Sequence, residues 1–343
     1  MKNAYQVIGV ESSPYSVKVR AVLRYRRLPH TWLCRMPQFY PPLADVRPLL
    51  MPVVRFPDGD YRVDSTPIIL ALEDLHPDQR SVLPDDPVLS FYCRLIEDMA
   101  DEWLAKCLFH YRFSHAADRA FAPTWVMDDA YPGIGQGDLT EKAEAFLARQ
   151  TERMALVGIR PENLPVIEGT FGRVLEILGP FVTLDRFLFG SRPSLADFGL
   201  FGQLKTLCTD PTPAAAIRAR APRLDHWVRR ADDLSGVEGD WQPEPDPNAA
   251  VLGLLELAGS TYLPFLTANA AARENGDDEL TVDLPAGRCC QPPFGYQHKC
   301  LDVMRAAFAA LSPADRQRAE PVLRETGCLA YLSSPHSGRL DDK

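Results

Sequence analysis

The chain carries hydroxyl groups at a helix start where a redox protein would carry thiols. Residues 11–23 read "ESSPYSVKVRAVL", and Ser13-Pro14-Tyr15-Ser16 within them would be a dithiol redox motif if both serines were cysteine. Serine is a good N-cap and Pro14 suits the first helical position, which predicts a helix that begins near Ser13. Because a helix N-terminus favours an anion, the Ser13 hydroxyl is either a cap alone or a hydrogen-bond donor to a bound thiolate.

Two further stretches have the residue types to bind a peptide-like molecule. In "MPVV" (51–54), proline enters a strand, where it suits an edge or a cis bond in a tight turn. A cis-proline there would leave the backbone of Val53 open to an extended ligand. In "DSTPII" (64–69), backbone N–H groups and the Ser65 hydroxyl predict a pocket for a carboxylate, and Asp64 would hold an ammonium group. The alternative is a plain N-cap with an acidic neighbour.

The order of the predicted elements brings these stretches together. An apolar run precedes the Ser13 helix, a tight turn at Pro57-Asp58-Gly59 joins two short strands, and Ser65 opens a second helix. The pattern predicts a β-α-β unit followed by a β-β-α unit. Its strands are at 4–10, 30–36, 52–56 and 60–64, and the stretch 37–51 is an irregular connection that bears helical turns.

Proline-rich, charged segments at 76–88 and 236–248 have the composition of linkers. They predict an α/β domain at 1–78, an all-helical domain at 88–235 and a mostly helical C-terminal extension at 249–332.

The first long helix of the second domain carries acidic residues on adjacent faces. Asp98, Asp101 and Glu102 are spaced i, i+3, i+4. They form either a solvated or domain-docking face, or the polar wall of a substrate cleft to which Trp103 and Tyr111 add apolar area. The following stretch, 114–138, is rich in Pro, Gly and aromatic residues and is interpreted as a loop able to form a lid.

Composition narrows the classes of function. The chain has 343 residues, 46% hydrophobic and 24% charged, with a formal net charge of −9. An acidic chain argues against a nucleic-acid surface, and no apolar run was expected to reach membrane-spanning length. The N-terminal stretch is a poor secretory signal, and eight scattered cysteines fit free thiols in a reducing compartment, so a cytoplasmic location is expected. The spacing of Cys289, Cys290, His298 and Cys300 lacks the paired short loops of zinc sites, and no metal is predicted.

In combination, "SSPYSVKVR", "MPVV" and "DSTPII" resemble the glutathione transferase superfamily, in both order and spacing. A further match is "FLFGSRPSLADFGLFGQL" (187–204), which is similar to the Gly-x-x-x-Ser-x-x-Asp segment of that family, with Ser194 and Asp197 at capping-box spacing. The resemblance covers residues 4–235. It implies a thioredoxin-like N-terminal domain followed by a helical glutathione-transferase domain, and residues 249–332 have no counterpart in the common two-domain form.

The resemblance also implies a function. Glutathione would be the co-substrate, held as a thiolate that attacks a small, apolar electrophile between the two domains, and the protein would be a homodimer. Ser13 is the implied catalytic residue, with Ser12 and Tyr15 as possible substitutes. Residues implied to bind glutathione are Ser12, Tyr15, Pro52, Val53, Asp64 and Ser65.

Other possibilities remain open from the sequence. A protein of the same fold could be a non-catalytic binding or scaffolding module, with the extension as added surface. A thiol oxidoreductase is disfavoured because hydroxyl groups cannot exchange with disulfides, and Cys34 is expected in the core. The chain also departs from the family where Pro67 removes an N–H donor, and only Arg35 and Gln38 are candidates for the glycine end of glutathione.

Overall fold

Four strands form a mixed sheet in the computed structural model of the chain, which describes residues 4–77, 79–183, 185–243 and 245–333. The order across the sheet is β2-β1-β3-β4, in which β1 is parallel to β2 and the other two pairs are antiparallel. This confirms the β-α-β and β-β-α units expected from the sequence. The strands are β1 (Tyr5–Gly9), β2 (His30–Cys34), β3 (Val53–Arg55) and β4 (Tyr61–Val63).

Two helices, α1 (Pro14–Tyr25) and α2 (Ser65–Leu75), cover one face of the sheet. Val7 and Val54 point into the apolar core that these helices share. Because side chains alternate along a strand, the neighbouring Ile8 and Val53 face the other way and pack on Leu43 from the connection between β2 and β3. The sheet with its helices is a thioredoxin-like unit that carries the starts of α1 and α2 at one edge.

Helices make up the next part of the chain, and two of them differ from expectation. The single helix expected from residue 89 is interrupted at Trp103, and residues 116–130, expected as part of a loop that forms a lid, are helical. That helix forms despite Pro123 because Val126 and Met127 are buried against the following helix, and tertiary packing outweighs the lost hydrogen bond. The elements are α3 (Pro87–Glu102), α4 (Leu104–Ser114), α5 (Ala116–Ala130), α6 (Gln136–Arg153), α7 (Leu164–Phe181), α8 (Leu195–Thr209), α9 (Pro211–Arg220) and α10 (Pro222–Ala231).

Helix α8 lies between α1 and α3 and fixes their separation. A Cβ atom placed on Gly202 would lie 2.6 Å from the carbonyl oxygen of Pro14, so only glycine permits this approach to the first turn of α1. At the start of α8, Ser194 and Asp197 form the expected capping box, in which the Ser194 N–H donates to Asp197 at 2.9 Å. The helical domain thus braces the end of α1 that bears Ser13.

The C-terminal extension is folded into the same hydrophobic core as the rest of the chain. Tyr262 and Phe265 are fully buried together with residues of α3 and α7. The elements are α11 (Ala249–Leu257), α12 (Leu263–Asn275), β5 (Leu280–Leu284), β6 (Gly287–Gln291), α13 (Gly295–Ala310), α14 (Pro313–Glu325) and α15 (Leu329–Leu332). Two strands within the extension, β5 and β6, pair as an antiparallel hairpin.

A short π-helical stretch, Ala258–Tyr262, joins α11 and α12 into one continuous helix. In the part of the chain that the structure describes, this helix, Ala249–Asn275, is long and apolar enough to cross a membrane, by length and composition only. This helix differs from the prediction that no apolar run reaches membrane-spanning length. Because 72% of the apolar window is buried inside the fold, the helix is a core element here and only weak evidence for a membrane.

Candidate active site between the sheet and the helical domain

A cavity of about 480 Å³ opens between the thioredoxin-like unit and helices α3 to α6. The starts of α1 and α2 form its polar side, and the turn before β3 adds Leu50 and Met51. On the apolar side, Val10 and Met36 of the sheet unit meet Phe113, Val126 and Phe146 of the helical domain in one cluster. The residues along its wall include Ser12, Ser13, Tyr15, Met51, Asp64, Ser65, Asp98, Asp101, Glu102, Phe109 and Tyr296. The cavity therefore combines two helix N-termini with an apolar surface.

Ser13 is the N-cap of α1 and lies on the cavity wall. Its Oγ accepts a hydrogen bond from the Ser16 N–H at 3.3 Å, as expected from the sequence. Among the described residues, no acceptor takes the O–H of Ser13. Since the residue is only 5% exposed, that donor is held in a mostly dry position beside the helix N-terminus.

The two neighbouring candidates, Tyr15 and Ser12, contact other parts of the protein. The Tyr15 hydroxyl donates to the Asp101 carbonyl oxygen at 3.0 Å, and burial raises the pKa of Tyr15 well above its ordinary value. Ser12 lies against Asp129: its N–H donates to Oδ2 at 3.1 Å, and hydrogen bonds from Ser12 oppose the rise in the Asp129 pKa that burial causes. Tyr15 therefore has its donor occupied, and of the two serines Ser13 is the one whose hydroxyl caps α1.

Arg112 of α4 fixes the backbone that precedes α1. Its Nη1 donates to the Ser12 carbonyl oxygen at 2.9 Å, and its Nε donates to Asp210 at 2.8 Å. Both side chains are buried, which strengthens the pair electrostatically. No sequence signal indicated this brace, because its members come from helices that are distant along the chain.

A buried lysine lies behind the start of α2. Lys18 of α1 is completely buried and donates to Asp101 Oδ2 at 2.6 Å, to Glu97, to Thr66 at 3.2 Å and to Ser65 at 3.4 Å. Burial by itself lowers the pKa of Lys18, but the two carboxylates raise it above its ordinary value, so the amine is charged.

This cluster corrects the role expected for the Ser65 side chain. The Ser65 hydroxyl faces Lys18 and lies 3.2 Å from Asp101 Oδ2, so it is used inside the protein and is not a free ligand-binding group. What the start of α2 offers the cavity is its backbone: the N–H groups of Ser65 and Thr66 have no acceptor in the described part of the chain. With the charged Lys18 behind them, these N–H groups favour an anion, and the carboxylate pocket stays a prediction.

Asp64 adopts a conformation unusual for a residue with a side chain, with φ of 72°. Its Oδ2 accepts a hydrogen bond from the Tyr296 hydroxyl at 2.8 Å. Strained backbone of this kind is concentrated at ligand sites. Tyr296 belongs to the extension, 232 residues further along the chain, and no local pattern could have assigned it to this site.

Pro52 and Val53 do not line the cavity, contrary to expectation. The Met51–Pro52 peptide is cis, but Val53 pairs with Ile8 on one side and Val63 on the other, because β3 is an inner strand of the sheet. The residue before the proline, Met51, reaches the cavity instead.

The acidic residues of α3 lie on the cavity wall, which supports the cleft interpretation. Asp98 accepts a hydrogen bond from the Tyr262 hydroxyl at 2.7 Å, and burial raises the pKa of Asp98 to about 7. Burial and the nearby acids raise the pKa of Glu102 well above its ordinary value. Trp103 and Tyr111 do not line the cavity: Trp103 donates to Thr170 in the core, and the Tyr111 ring packs on Phe171.

The remaining sequence candidates lie away from the cavity. Cys34 is only partly buried, yet burial raises the pKa of its thiol to about 11, which leaves no reactive thiolate at neutral pH. The Arg35 guanidinium stacks over the Tyr40 ring at 5.4 Å, and Gln38 contacts Met36. Neither Arg35 nor Gln38 lines the cavity, so the site has no side chain assigned to the glycine end of a tripeptide.

The chain has a thioredoxin-like domain followed by a helical domain. A hydroxyl group lies at the start of α1 and an acid–serine pair at the start of α2. Together these features define the class of protein. Two family models agree with it. The glutathione S-transferase N-terminal domain matches residues 7–80, and the glutathione S-transferase C-terminal domain matches residues 158–230. The chain belongs to the glutathione transferase superfamily. Neither model reaches the extension at 249–332.

Comparison with solved structures gave matches at low sequence identity. The β-etherase LigF from Sphingobium sp. strain SYK-6 is 17% identical, with a TM-score of 0.46, over 74% of this chain and 99% of that one. A glutathione S-transferase from Methylobacterium radiotolerans, in complex with glutathione sulfonate, is 24% identical, with a TM-score of 0.41, over 71% and 99%. Rice GST1, in complex with glutathione, is 15% identical, with a TM-score of 0.41, over 69% and 90%. No match was found among curated proteins.

Proposed function

We propose that this protein is a serine-type glutathione transferase, in which the Ser13 hydroxyl donates a hydrogen bond to the thiolate of bound glutathione. The observation that carries the proposal is the unused O–H of Ser13, held at the α1 N-terminus on the cavity wall. Family membership supports glutathione as the thiol co-substrate.

One hydrogen bond from Ser13 would lower the thiol pKa of glutathione enough for catalysis. A free thiol with a pKa near 8.5 is about 3% ionised at pH 7. A hydrogen bond to a charged group contributes about 1.5–3 kcal/mol, or roughly one to two pKa units, which brings the thiolate to about a quarter to three quarters. The thiolate sulfur then forms a bond to an electrophilic carbon, and the leaving group departs with its electron pair.

The rest of the site supports binding of the γ-glutamyl end of glutathione. Its carboxylate would accept from the Ser65 and Thr66 N–H groups, and its ammonium would meet the carboxylate of Asp64. The apolar side, which includes Phe109, Phe113 and Phe146, supports an apolar electrophile.

Glutathione binding and thiolate absorbance test the proposal. Wild-type protein should bind glutathione and show thiolate ultraviolet absorbance near neutral pH, and Ser13→Ala should move that signal about one to two pH units higher. Ser16→Ala is the matched control, because the Ser16 hydroxyl is buried without a partner among the described residues and does not line the cavity. Binding without a thiolate signal would favour the non-catalytic module instead.

Two wider expectations accompany the proposal. We propose a homodimer, which sedimentation of the intact protein would show. A cytoplasmic location is proposed from the cysteines, which are all free thiols, and fractionation of cells that express the protein would test it.

A further inference from the structure

A second chamber of about 260 Å³ adjoins the main cavity on the side of the extension. Tyr15, Glu102, Phe109 and Tyr296 line both spaces, so they stand between the two. The wall that belongs to the second chamber alone is formed by Lys106 of α4, Val157, and Phe294 and Gln297 of the extension. The extension therefore builds part of the binding cleft.

Lys106 is a buried cation without an anionic partner. The residue is 6% exposed, and its Nζ donates to the Val157 carbonyl oxygen at 2.9 Å and to Gln291 Oε1, both of which are neutral acceptors. No carboxylate in the described part of the chain forms an ion pair with it. The ammonium also lies over the Phe265 ring, 4.9 Å from its centroid, and over the Trp103 ring at 5.6 Å. Buried charges in proteins are normally paired with an opposite charge, so an ammonium without a carboxylate on a chamber wall indicates a ligand that supplies the anion.

The neighbouring groups are also donors. Gln297 is 8% exposed, and its Oε1 accepts from Gln291 at 3.1 Å, which leaves its amide N–H groups without an acceptor among the described residues. Glu102 is the acid on this wall, and burial together with the nearby Asp98 and Asp101 raises its pKa well above its ordinary value. Phe109 and Phe294 supply the apolar remainder.

We propose that the second chamber binds the carboxylate of an elongated, apolar electrophile whose reactive carbon lies in the main cavity, with Lys106 and Gln297 as the carboxylate-binding residues. The inference deepens the proposed function and rests on it for the reaction. It assigns the extension a role in substrate selection. The lowered pKa of Lys106, about 8, results from burial, and a bound carboxylate would restore its charge fully.

A pair of electrophiles that differ only in charge tests the proposal. The thiolate displaces chloride from 4-chloro-3-nitrobenzoate and from 4-chloro-3-nitrobenzamide by the same substitution, in which a C–S bond forms and a C–Cl bond breaks. Wild-type protein should prefer the carboxylate once intrinsic reactivity is subtracted. Lys106→Met should lower kcat/KM for the carboxylate about ten- to hundredfold, the range of a charge-assisted hydrogen bond, and leave the amide within about twofold.

A second variant keeps the proposal testable if Lys106→Met does not fold. Gln297→Glu keeps the size of the side chain but adds a competing carboxylate, and it should reduce use of the benzoate while sparing the benzamide. Lys299→Met, an exposed lysine of the same helix, is the matched control and should change neither. Calorimetric binding of biphenyl-4-carboxylate against biphenyl-4-carboxamide should show the same Lys106 dependence without any reaction.

The outcomes separate the two proposals. Loss of turnover for both electrophiles in Ser13→Ala, together with equal effects of Lys106→Met on both, would overturn the chamber and retain the transferase. Carboxylate binding that depends on Lys106 in a protein that neither binds nor ionises glutathione would overturn the transferase and retain the chamber as an anion site.

Discussion

Removal of Lys18 should destabilise the protein strongly, because it would leave two carboxylates buried without a partner. Lys18 is completely buried between Glu97 and Asp101, whose side chains are 2% and 9% exposed. Breaking a buried pair on one side costs about 3–5 kcal/mol, and the hydrogen bonds to Ser65 and Thr66 would be lost with it. Lys18→Met should therefore lower the free energy of unfolding by about 3–5 kcal/mol at neutral pH.

The loss of stability in Lys18→Met should depend on pH in one direction. In wild-type protein the pKa of Lys18 is raised on folding, so its contribution is complete at neutral pH and is lost only as pH rises through that raised value. In Lys18→Met, Asp101 loses the amine that opposes the rise in its pKa caused by burial, so stability is lost as pH rises through the raised pKa of Asp101. The difference between variant and wild type should therefore shrink as pH falls toward 4.

Urea denaturation at a series of pH values measures this difference. The double variant Lys18→Met/Asp101→Asn should recover part of the loss, because one of the stranded charges is gone. Lys205→Met is the control: its amine is 22% exposed and pairs with Asp232 at 3.2 Å, so a loss of at most about 1 kcal/mol is expected. A Lys18→Met deficit below 1 kcal/mol, or one that does not change with pH, would refute the reasoning.

Three further changes test other parts of the site. Tyr296→Phe removes the hydrogen bond to Asp64 and should tighten glutathione binding up to about tenfold by calorimetry, because the ligand ammonium no longer competes with the phenol. Gly202→Ala places a methyl group 2.6 Å from the Pro14 carbonyl oxygen and should lower stability by about 1–3 kcal/mol in urea, with lower glutathione affinity as α1 shifts. Pretreatment of native protein with iodoacetamide at pH 7, followed by desalting, should leave transferase activity unchanged, since the pKa of the partly exposed Cys34 thiol is about 11.

Each of these has a control and a contrary result. Tyr61→Phe alters a phenol outside the cavity, and equal effects of both tyrosine changes would contradict the ammonium argument. A Cβ atom on Gly236 meets nothing within 4 Å, so Gly236→Ala should be neutral, and a Gly202→Ala protein as stable as wild type would show that the helices can separate. Activity lost on alkylation would support a thiol-dependent reaction.

Local sequence patterns were sufficient to predict the strands and helices of the thioredoxin-like unit and the positions where its helices start. A serine followed by proline at Ser13, and the capping-box spacing at Ser194, depend on backbone groups a few residues away, so their structural consequence is encoded locally. The turn around Gly59 is local in the same way. The serine-type interpretation depended in addition on the resemblance of these segments to the glutathione transferase superfamily.

Tertiary structure decided which of those groups remain available to a ligand. The Ser65 hydroxyl is occupied because Lys18 is buried beside it, and Val53 is unavailable because β3 lies between two strands. Residues 116–130 are helical and not a loop because packing outweighed Pro123.

Tertiary structure also decided how the extension contributes to the cleft. Tyr296 and Lys106 meet the site only after α13 packs across the helical domain. Contacts over such separations depend on how elements pack against one another, and a short sequence window carries no record of that packing.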